Sequence, residues 1–234
     1  MKGFSLELLL FFICPKNRLT KTYNCYILYL TNISLLEFRR GEMLLGEIAR
    51  IKAGLVLSRK KAEIEFDIKA RYKLLTLKNI EEDGTFNEQM FEEFQCNDVL
   101  SEHYFTNEGD ILIRLNHPNT SVYITKEQKG LLVPSYFAIV KLLDDRYLPS
   151  YIAWYLNTEQ VKHELMKSQS GTQMPSTNKS VLGKIDIPYL SLAKQEKLTD
   201  IHQLYKKEKM LYRQLLEEKE QLYMMATKQL LKTN

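Results

Sequence analysis

The sequence predicts an α+β fold, in which a compact strand-rich body with short helices is followed by one long C-terminal helix. Strand-like and helix-like segments do not alternate along the whole chain, as they would in a doubly wound parallel sheet. Segments with strand-like composition fall between residues 71 and 142, and helical patterns dominate from Pro149 onward. Residues 192–231 contain neither proline nor glycine, which predicts one uninterrupted helix.

The composition is typical of a globular protein whose charge is unevenly distributed. The chain has 234 residues, of which 44% are hydrophobic and 26% charged, so wholesale disorder is not expected. Residues 50–79 carry nine Lys or Arg side chains against three acidic ones, whereas residues 81–110 carry ten acidic side chains and no Lys or Arg. A polyanion should be attracted to the first segment and repelled by the second.

Cysteine usage and hydropathy indicate a reducing compartment and no membrane span. Cys14, Cys25 and Cys96 have no CxxC spacing, so neither a disulfide framework nor a zinc site is expected. No run approaches the roughly 18 apolar residues that a membrane span requires. We therefore expect a cytoplasmic protein without a membrane partner.

Residues 1–42 are expected to be a non-native or weakly structured extension. The segment RRGEM at 39–43 can be encoded by purine-only codons immediately before an ATG, which resembles a translated bacterial ribosome-binding site. On this hypothesis Met43 is the true start. A secretion signal, since Lys2 precedes an apolar run, and an additional β-element within residues 22–38 are the alternatives.

The first elements of the body are predicted between residues 43 and 88. A short amphipathic helix that ends at Gly54 is indicated by apolar residues at three- and four-residue spacing, namely Leu44, Leu45, Ile48 and Ile51. SRKK at 58–61 predicts a basic turn, and RYKLLTLKNI at 71–80 has strand-like composition. EEDGTFNE at 81–88 predicts an acidic turn.

The centre of the chain predicts strands. GDILIRL at 109–115 alternates, with Ile111 and Ile113 on one face and Leu112 and Arg114 on the other. NHPNT then predicts a turn before the strand SVYIT. A further strand in GLLVPSYFAIVKL is expected at or near a sheet edge, because Pro134 has no amide to give to a ladder.

Helices are predicted after residue 148. Pro149 suits a first helical turn, and Asn157 followed by Gln160 resembles a capping box that opens a second helix toward Lys167. The segment NKSVLG at 178–183 predicts a short helix that Ser176 or Thr177 would cap.

The final helix, from Leu192 to Leu231, would be roughly 60 Å long at 1.5 Å per residue. Its apolar stripe is interrupted at Glu208 and Glu218, where a strict heptad requires apolar residues. A helix this long cannot bury its whole apolar face on its own domain, so a partner helix is predicted. The alternative is a helix that folds back on its own domain. The residues of its apolar stripe are Leu198, Ile201, Leu204, Tyr205, Leu211, Leu215, Leu222 and Met225.

The sequence shows no catalytic constellation. GxxxxGK[ST], GxGxxG, HExxH and GxSxG are all missing, and the four histidines are dispersed. We therefore expect no catalytic residues, no metal and no cofactor.

Binding chemistry is present instead, in the loop SGTQMPSTNK at 170–179 and in the basic turn. Amides can pair with base edges, and hydroxyls and cations can hold phosphates. The alternatives are helix capping for the loop and a solvated charge run for the turn. The candidate DNA-facing residues are Arg59, Lys60, Lys61, Arg114, Asn116, Gln173, Ser176, Asn178 and Lys179.

The order of these elements resembles the target-recognition domain of type I restriction-modification specificity subunits. The resemblance covers residues 44–231 and includes LGEIARIKAG, GDILIRL and YLPSYIAWYLN. Its most specific part is the ordered set of a Gly-Thr-Gln loop, a Leu-x-x-Ile-x-Ile-Pro strand and Gln195 at the start of the helix. One departure follows Pro188, where the family usually has further prolines.

The resemblance implies a non-catalytic specificity subunit that binds double-stranded DNA. Residues 43–190 would recognise one half of a split target, and residues 191–234 would form the helix for dimerisation and subunit docking. Methylation and cleavage would belong to separate methyltransferase and restriction subunits. The usual subunit has two recognition domains and two long helices, so this chain should form a homodimer or pair with another half-subunit.

Two other functions remain open from the sequence. The chain could be the detached recognition part of a methyltransferase or nuclease whose catalytic part lies elsewhere. It could also be a coiled-coil adaptor that does not bind DNA.

Overall fold

The structure is a computed structural model that describes residues 43–87, 89–117, 119–168 and 177–232. The expected extension over residues 1–42 lies outside the described residues. The described part forms a strand-rich body and a long C-terminal helix, which confirms the predicted α+β class.

The described ranges contain eight strands and five α-helices, joined by loops and short 3-10 turns. The strands are β1 (Met43–Leu44), β2 (Ala49–Ala53), β3 (Ala70–Leu74), β4 (Glu92–Cys96), β5 (Ile111–Arg114), β6 (Ser121–Tyr123), β7 (Phe137–Leu142) and β8 (Asp186–Ile187). The helices are α1 (Leu45–Ile48), α2 (Pro149–Leu156), α3 (Glu159–Ser168), α4 (Lys179–Leu182) and α5 (Leu192–Lys232).

The core of the body is an antiparallel sheet with the strand order β2-β7-β5-β6. Helix α2 contacts β5 and β6, and the irregular chain that includes Leu75 and Leu131 packs on the other face with Leu112, Val122 and Ile139. Because both faces are covered, the central strands β5 and β7 are apolar almost without interruption. Two smaller antiparallel pairs, β3 with β4 and β1 with β8, flank this sheet.

The strand after Pro134 is central in the sheet, so the predicted edge position is wrong. Pro134 lies before β7, in a turn where the Phe137 amide donates to the Pro134 carbonyl at 3.0 Å. The proline is therefore outside the four-stranded ladder, and its missing amide removes no hydrogen bond from it.

The predicted helix that ends at Gly54 is mostly a strand. Helix α1 stops at Ile48, and Ala49–Ala53 pairs with β7 as strand β2. Gly54 ends this strand where the chain approaches Pro134 closely. A Cβ on Gly54 would lie 2.3 Å from the Pro134 carbonyl oxygen, so a larger residue would force the two segments apart.

Asn157 connects two elements and does not cap α3 as predicted. Its amide oxygen accepts the Ser121 amide at 2.8 Å, while its amide nitrogen donates to the carbonyls of Ser121 at 2.7 Å and Ala153 at 3.0 Å. The Asn157 side chain thus forms hydrogen bonds with the backbone of β6, and not the bond to the start of α3 that a capping box requires. The other helical predictions hold, because Pro149 occupies the first turn of α2 and α3 extends to Ser168.

Helix α5 is 41 residues long, which confirms the predicted long helix. Its first half packs on α2, and from Met210 to Leu231 each residue except Thr227 is exposed. The alternative of a helix folded back on its domain therefore does not apply beyond Lys209. Across the described ranges, no helix has the length and apolar character needed to cross a membrane, and no group of acidic, His and Cys residues has the arrangement of a metal site.

Candidate nucleic-acid interface

One end of the central sheet brings together two parts of the predicted site. Asn119 adopts a positive φ of 55° after β5, and its side chain donates to the carbonyls of Arg114 and Leu115 at 3.2 and 3.1 Å. The Leu115 carbonyl also accepts the Thr177 amide at 2.7 Å. This bond holds the chain that enters α4 beside the exposed Asn116.

Asn178 and Lys179 lie at the start of α4, where both are exposed. The Asn178 side-chain oxygen accepts the amides of Ser180 at 2.9 Å and Val181 at 3.1 Å, so Asn178 is the cap that had been predicted at Ser176 or Thr177. The first turn of α4 is thereby fixed, with Lys179 at the surface. Gln173 and Ser176 lie outside the described residues.

Arg114 is only partly accessible. It lies in a small recess lined by Leu77, Glu82, Thr120 and Phe137, among others. Its Nε is buried without a hydrogen-bond partner in the described ranges. Arg114 therefore has donors available, but they lie inside the recess.

Arg59, Lys60 and Lys61 lie on a separate turn beside β4. The backbone of Lys61 pairs with that of Cys96 in an isolated antiparallel β-bridge. The Lys60 ammonium contacts the Asp98 carboxylate at 2.6 Å. The hydrogen bond between them raises the pKa of Lys60 and lowers the pKa of Asp98. Any phosphate bound by Lys60 would have to compete with Asp98.

Part of the uneven charge of the sequence is paired in space. The antiparallel pairing of β3 with β4 places Arg71 opposite Gln95 and 2.9 Å from Glu93, and Lys78 lies 3.5 Å from Glu92. At this place the basic and acidic stretches are neighbours and do not form two separate surfaces. The basic residues Arg50 and Lys52 lie on a different sheet, away from these pairs.

A basic face on β2 and β7 was not predicted from the sequence. Arg50 lies opposite Lys141, and Lys52 lies two residues along the same strand face. These cations line a groove of about 310 Å³ together with His103 and Asn107, as well as Glu102. Arg50 and Lys52 are exposed.

Among the residues that the structure describes, Lys141 is the one of these three cations with a carboxylate partner at this face. Its ammonium lies 3.6 Å from Asp110, which is buried. Burial raises the pKa of Asp110, while the Asn107 amide and Lys141 act in the opposite direction. Arg50 and Lys52 are two residues apart, so they share one face of a strand, and the alternation of Ala-Arg-Ile-Lys-Ala could have revealed this. A helix was predicted there instead, and on a helix residues two apart lie about 200° apart.

Gln195 fixes the start of α5 to the body. It is fully buried, and its side-chain oxygen accepts the Leu148 amide at 2.7 Å. Its side-chain nitrogen donates to the carbonyls of Arg146 at 2.8 Å and Leu190 at 2.7 Å. One side chain therefore joins the entry to α2, the entry to α5 and the helix itself.

Most of the predicted apolar stripe of α5 faces solvent. Leu198 and Ile201 are partly buried near the body. The other six members are 46% to 68% exposed, namely Leu204, Tyr205, Leu211, Leu215, Leu222 and Met225. Leaving this much apolar surface in water is unfavourable.

Comparison with solved structures identifies the fold. The HsdS subunit from Thermoanaerobacter tengcongensis matches with a TM-score of 0.56 and 13% identity, over 74% of this chain and 44% of that chain. The fold of this chain is that of an HsdS subunit. A chain from a structure on complex assembly and conformational transition of the type I R-M system matches with a TM-score of 0.54 and 15% identity, over 89% of this chain and 51% of that chain.

The chain thus spans about half the length of the solved HsdS-type chains that it matches. No family model matches the sequence, and no curated protein matches it. The similarity is therefore one of fold at low identity, and the predicted division into a single recognition domain and a docking helix stays a prediction.

Proposed function

We propose that this chain is a DNA specificity subunit of a type I restriction-modification complex. It binds one half of a bipartite double-stranded target and directs methyltransferase and restriction subunits to that site. The chain itself is not catalytic, since the reactions belong to the other subunits. The observation that carries this proposal is the HsdS fold over about half of the length of the matching chains.

DNA contacts divide into two groups in this proposal. Asn116 and Asn178 are candidates for base edges, because they lie at the surface where β5 ends and α4 begins. The carboxamide of Asn116 can pair with adenine. The oxygen of Asn178 caps α4, so its side chain would contact a base as a donor through its nitrogen. Lys179 holds a phosphate beside them. Gln173 and Ser176 belong to the loop that immediately precedes Asn178 and Lys179 in the sequence.

The remaining basic residues are proposed as phosphate contacts, because cations position the duplex without distinguishing bases. Arg50, Lys52 and Lys141 form one such surface, and the exposed groups on the first two favour it. The other candidates are Arg59, Lys60, Lys61 and Arg114, of which Lys60 is engaged by Asp98 and Arg114 lies in a recess.

The second half of the target requires a second recognition domain. We propose that the exposed part of α5 supplies it by pairing with the α5 helix of another copy or of a different half-subunit. A pair of identical chains has two-fold symmetry, so its target would be a palindromic split sequence. The same helix would also dock the methyltransferase subunits.

Binding assays on the complex assembled with its methyltransferase subunit test this function. The expected result is selective retention of one split motif from a random DNA pool, with affinity that falls as salt rises. A chain that binds protein partners but shows no salt-dependent DNA binding would instead be a coiled-coil adaptor.

A further inference from the structure

The acidic turn at residues 81–85, called here the wedge, is inserted between β6 and α5. Its backbone is closed by hydrogen bonds from the Glu81 amide to the Thr85 carbonyl at 2.8 Å and from the Gly84 amide to the Glu81 carbonyl at 3.0 Å. Thr120 donates from its hydroxyl to the Glu82 carbonyl at 3.2 Å, which attaches the turn to the sheet. The wedge is therefore part of the rigid body.

Gly84 allows the wedge to approach the sheet closely. It has a φ of 75°, and a Cβ there would lie 2.3 Å from the Ser121 carbonyl oxygen and 3.0 Å from the Asn157 side-chain nitrogen. Asn157 is the side chain that holds β6 to α2. The wedge thus rests directly on the part of the body that also supports α5.

Helix α5 contacts the wedge through two lysines. The Lys206 ammonium donates to the Gly84 carbonyl at 3.2 Å, and the Lys209 ammonium lies 3.4 Å from the Asp83 carboxylate. His202 lies beside them in a cavity of about 140 Å³ that Gly84 and Lys206 also line. Within the described ranges, these contacts lie just before Met210, where the helix becomes exposed.

Two attachments therefore define the direction of α5. Gln195 and packing on α2 hold its first turns, and the wedge holds it 11 to 14 residues after Gln195, about 16 to 21 Å along the axis at 1.5 Å per residue. Without the wedge, only the contacts of these first turns would resist a tilt of the exposed rod. A tilt of about 10° would move Lys232, about 55 Å from Gln195, by about 10 Å. That displacement equals about three base-pair steps of 3.4 Å.

We propose that the wedge sets the spacing between the two halves of the DNA target. It does so without touching DNA, because its contacts with Lys206 and Lys209 fix the angle at which α5 leaves the body. This inference rests on the proposed function, in which paired α5 helices hold two recognition domains apart. Weakening the wedge should relax the number of spacer base pairs and leave the half-site bases unchanged.

Sequencing of methylated DNA tests the inference, with the assembled complex acting on a library whose half-sites are separated by random spacers of different lengths. Wild-type protein should select one spacer length. Asp83→Lys should methylate the same half-sites at neighbouring spacer lengths as well, and the charge swap Asp83→Lys with Lys209→Asp should restore the single length. Lys209→Gln is the milder variant should Asp83→Lys not fold.

Asp67→Lys is the matched control, because Asp67 is an exposed acidic residue on a different turn. It should leave spacer selection unchanged. A single unchanged spacer length in both Asp83→Lys and Lys209→Gln would overturn the role of the wedge. Failure of the proposed function would look different, since wild-type protein would then methylate no split motif.

Discussion

At the scale of single residues, Gln195 shows how one buried amide can determine where a long element begins. Its oxygen and nitrogen contact three backbone groups, of which Arg146 and Leu148 precede α2 and Leu190 precedes α5. A carboxamide suits this place because it both accepts and donates. The sequence resemblance singled out Gln195, and the structure supplies the physical reason.

Replacing Gln195 should destabilise the protein. Gln195→Ala leaves the Leu148 amide and two carbonyls without their partner, so we expect a loss of about 2–4 kcal/mol in the free energy of unfolding. Denaturant titration of the purified protein measures it. Gln214→Ala, at an exposed position of the same helix, should change stability by less than about 0.5 kcal/mol. Equal small effects of both changes would show that the bonds of Gln195 contribute little.

His202 should make stability depend on pH. Burial is the main cause that lowers the pKa of His202 from 6.5 to about 4, with Lys206 acting in the same direction. The unfolded chain therefore binds a proton that the folded chain does not between these values. The free energy of unfolding is therefore unaffected by this group above pH 6.5, and it decreases as the pH falls from 6.5 toward 4.

Unfolding titrations at a series of pH values test this. His202→Gln should flatten the decline between pH 6.5 and 4, whereas His163→Gln, at an exposed position, should retain it. The burial argument would fail if the two variants had the same pH profile.

The two classes of proposed DNA contact should give different signatures. Arg50→Gln should lower affinity for all sequences alike and reduce the slope of log K against log salt by about 1. Asn116→Ala should cost about 1–3 kcal/mol at a single base position. Competition binding at several salt concentrations distinguishes them, with the exposed Lys129→Gln as the control. A sequence-dependent effect of Arg50→Gln would contradict its assignment to phosphate.

At the scale of secondary-structure elements, local patterns predicted some segments well and others poorly. The absence of proline and glycine was sufficient for α5, and alternation was sufficient for β5. The prediction for the segment before Gly54 failed because the apolar residues from Leu44 to Ile51 have helical spacing, although residues 49–53 also alternate as in a strand. Pairing with β7 decided the outcome. That error also concealed the shared face of Arg50 and Lys52.

Contacts between distant segments explain the other failures. Asn157 has the local context of a helix cap, but the backbone of Ser121 offers it two hydrogen bonds. The charge segregation between residues 50–79 and 81–110 is reduced where β3 and β4 pair and bring Arg71 next to Glu93. Neither tertiary contact is visible in a local window of sequence.

The exposed half of α5 should mediate pairing of two chains. Leu222→Glu places a charge in the apolar stripe and should shift the protein toward monomer, because an unpaired charge is costly in a helix interface. Light scattering coupled to gel filtration measures this. Gln221→Glu adds the same charge about 100° around the helix and should keep the association of the parent protein. A monomeric parent chain would leave pairing with a different half-subunit as the arrangement to examine.

At the scale of the whole molecule, the structure combines a rigid body with a rod held at two points. The body provides exposed amides and cations, and the rod extends about 35 Å beyond its last contact with the wedge. In the proposed complex, the body therefore determines which bases are recognised, and the rod determines how far apart the two recognised segments lie. The HsdS fold over about half of a matching chain is consistent with this division.

The proposed specificity function is tested by methylation sequencing of host DNA, with and without the gene for this chain and in the presence of the proposed methyltransferase subunit. We expect one split motif that disappears when the gene is deleted, and a palindromic motif if two identical chains pair. A methylation pattern that is unchanged by deletion would contradict the specificity function.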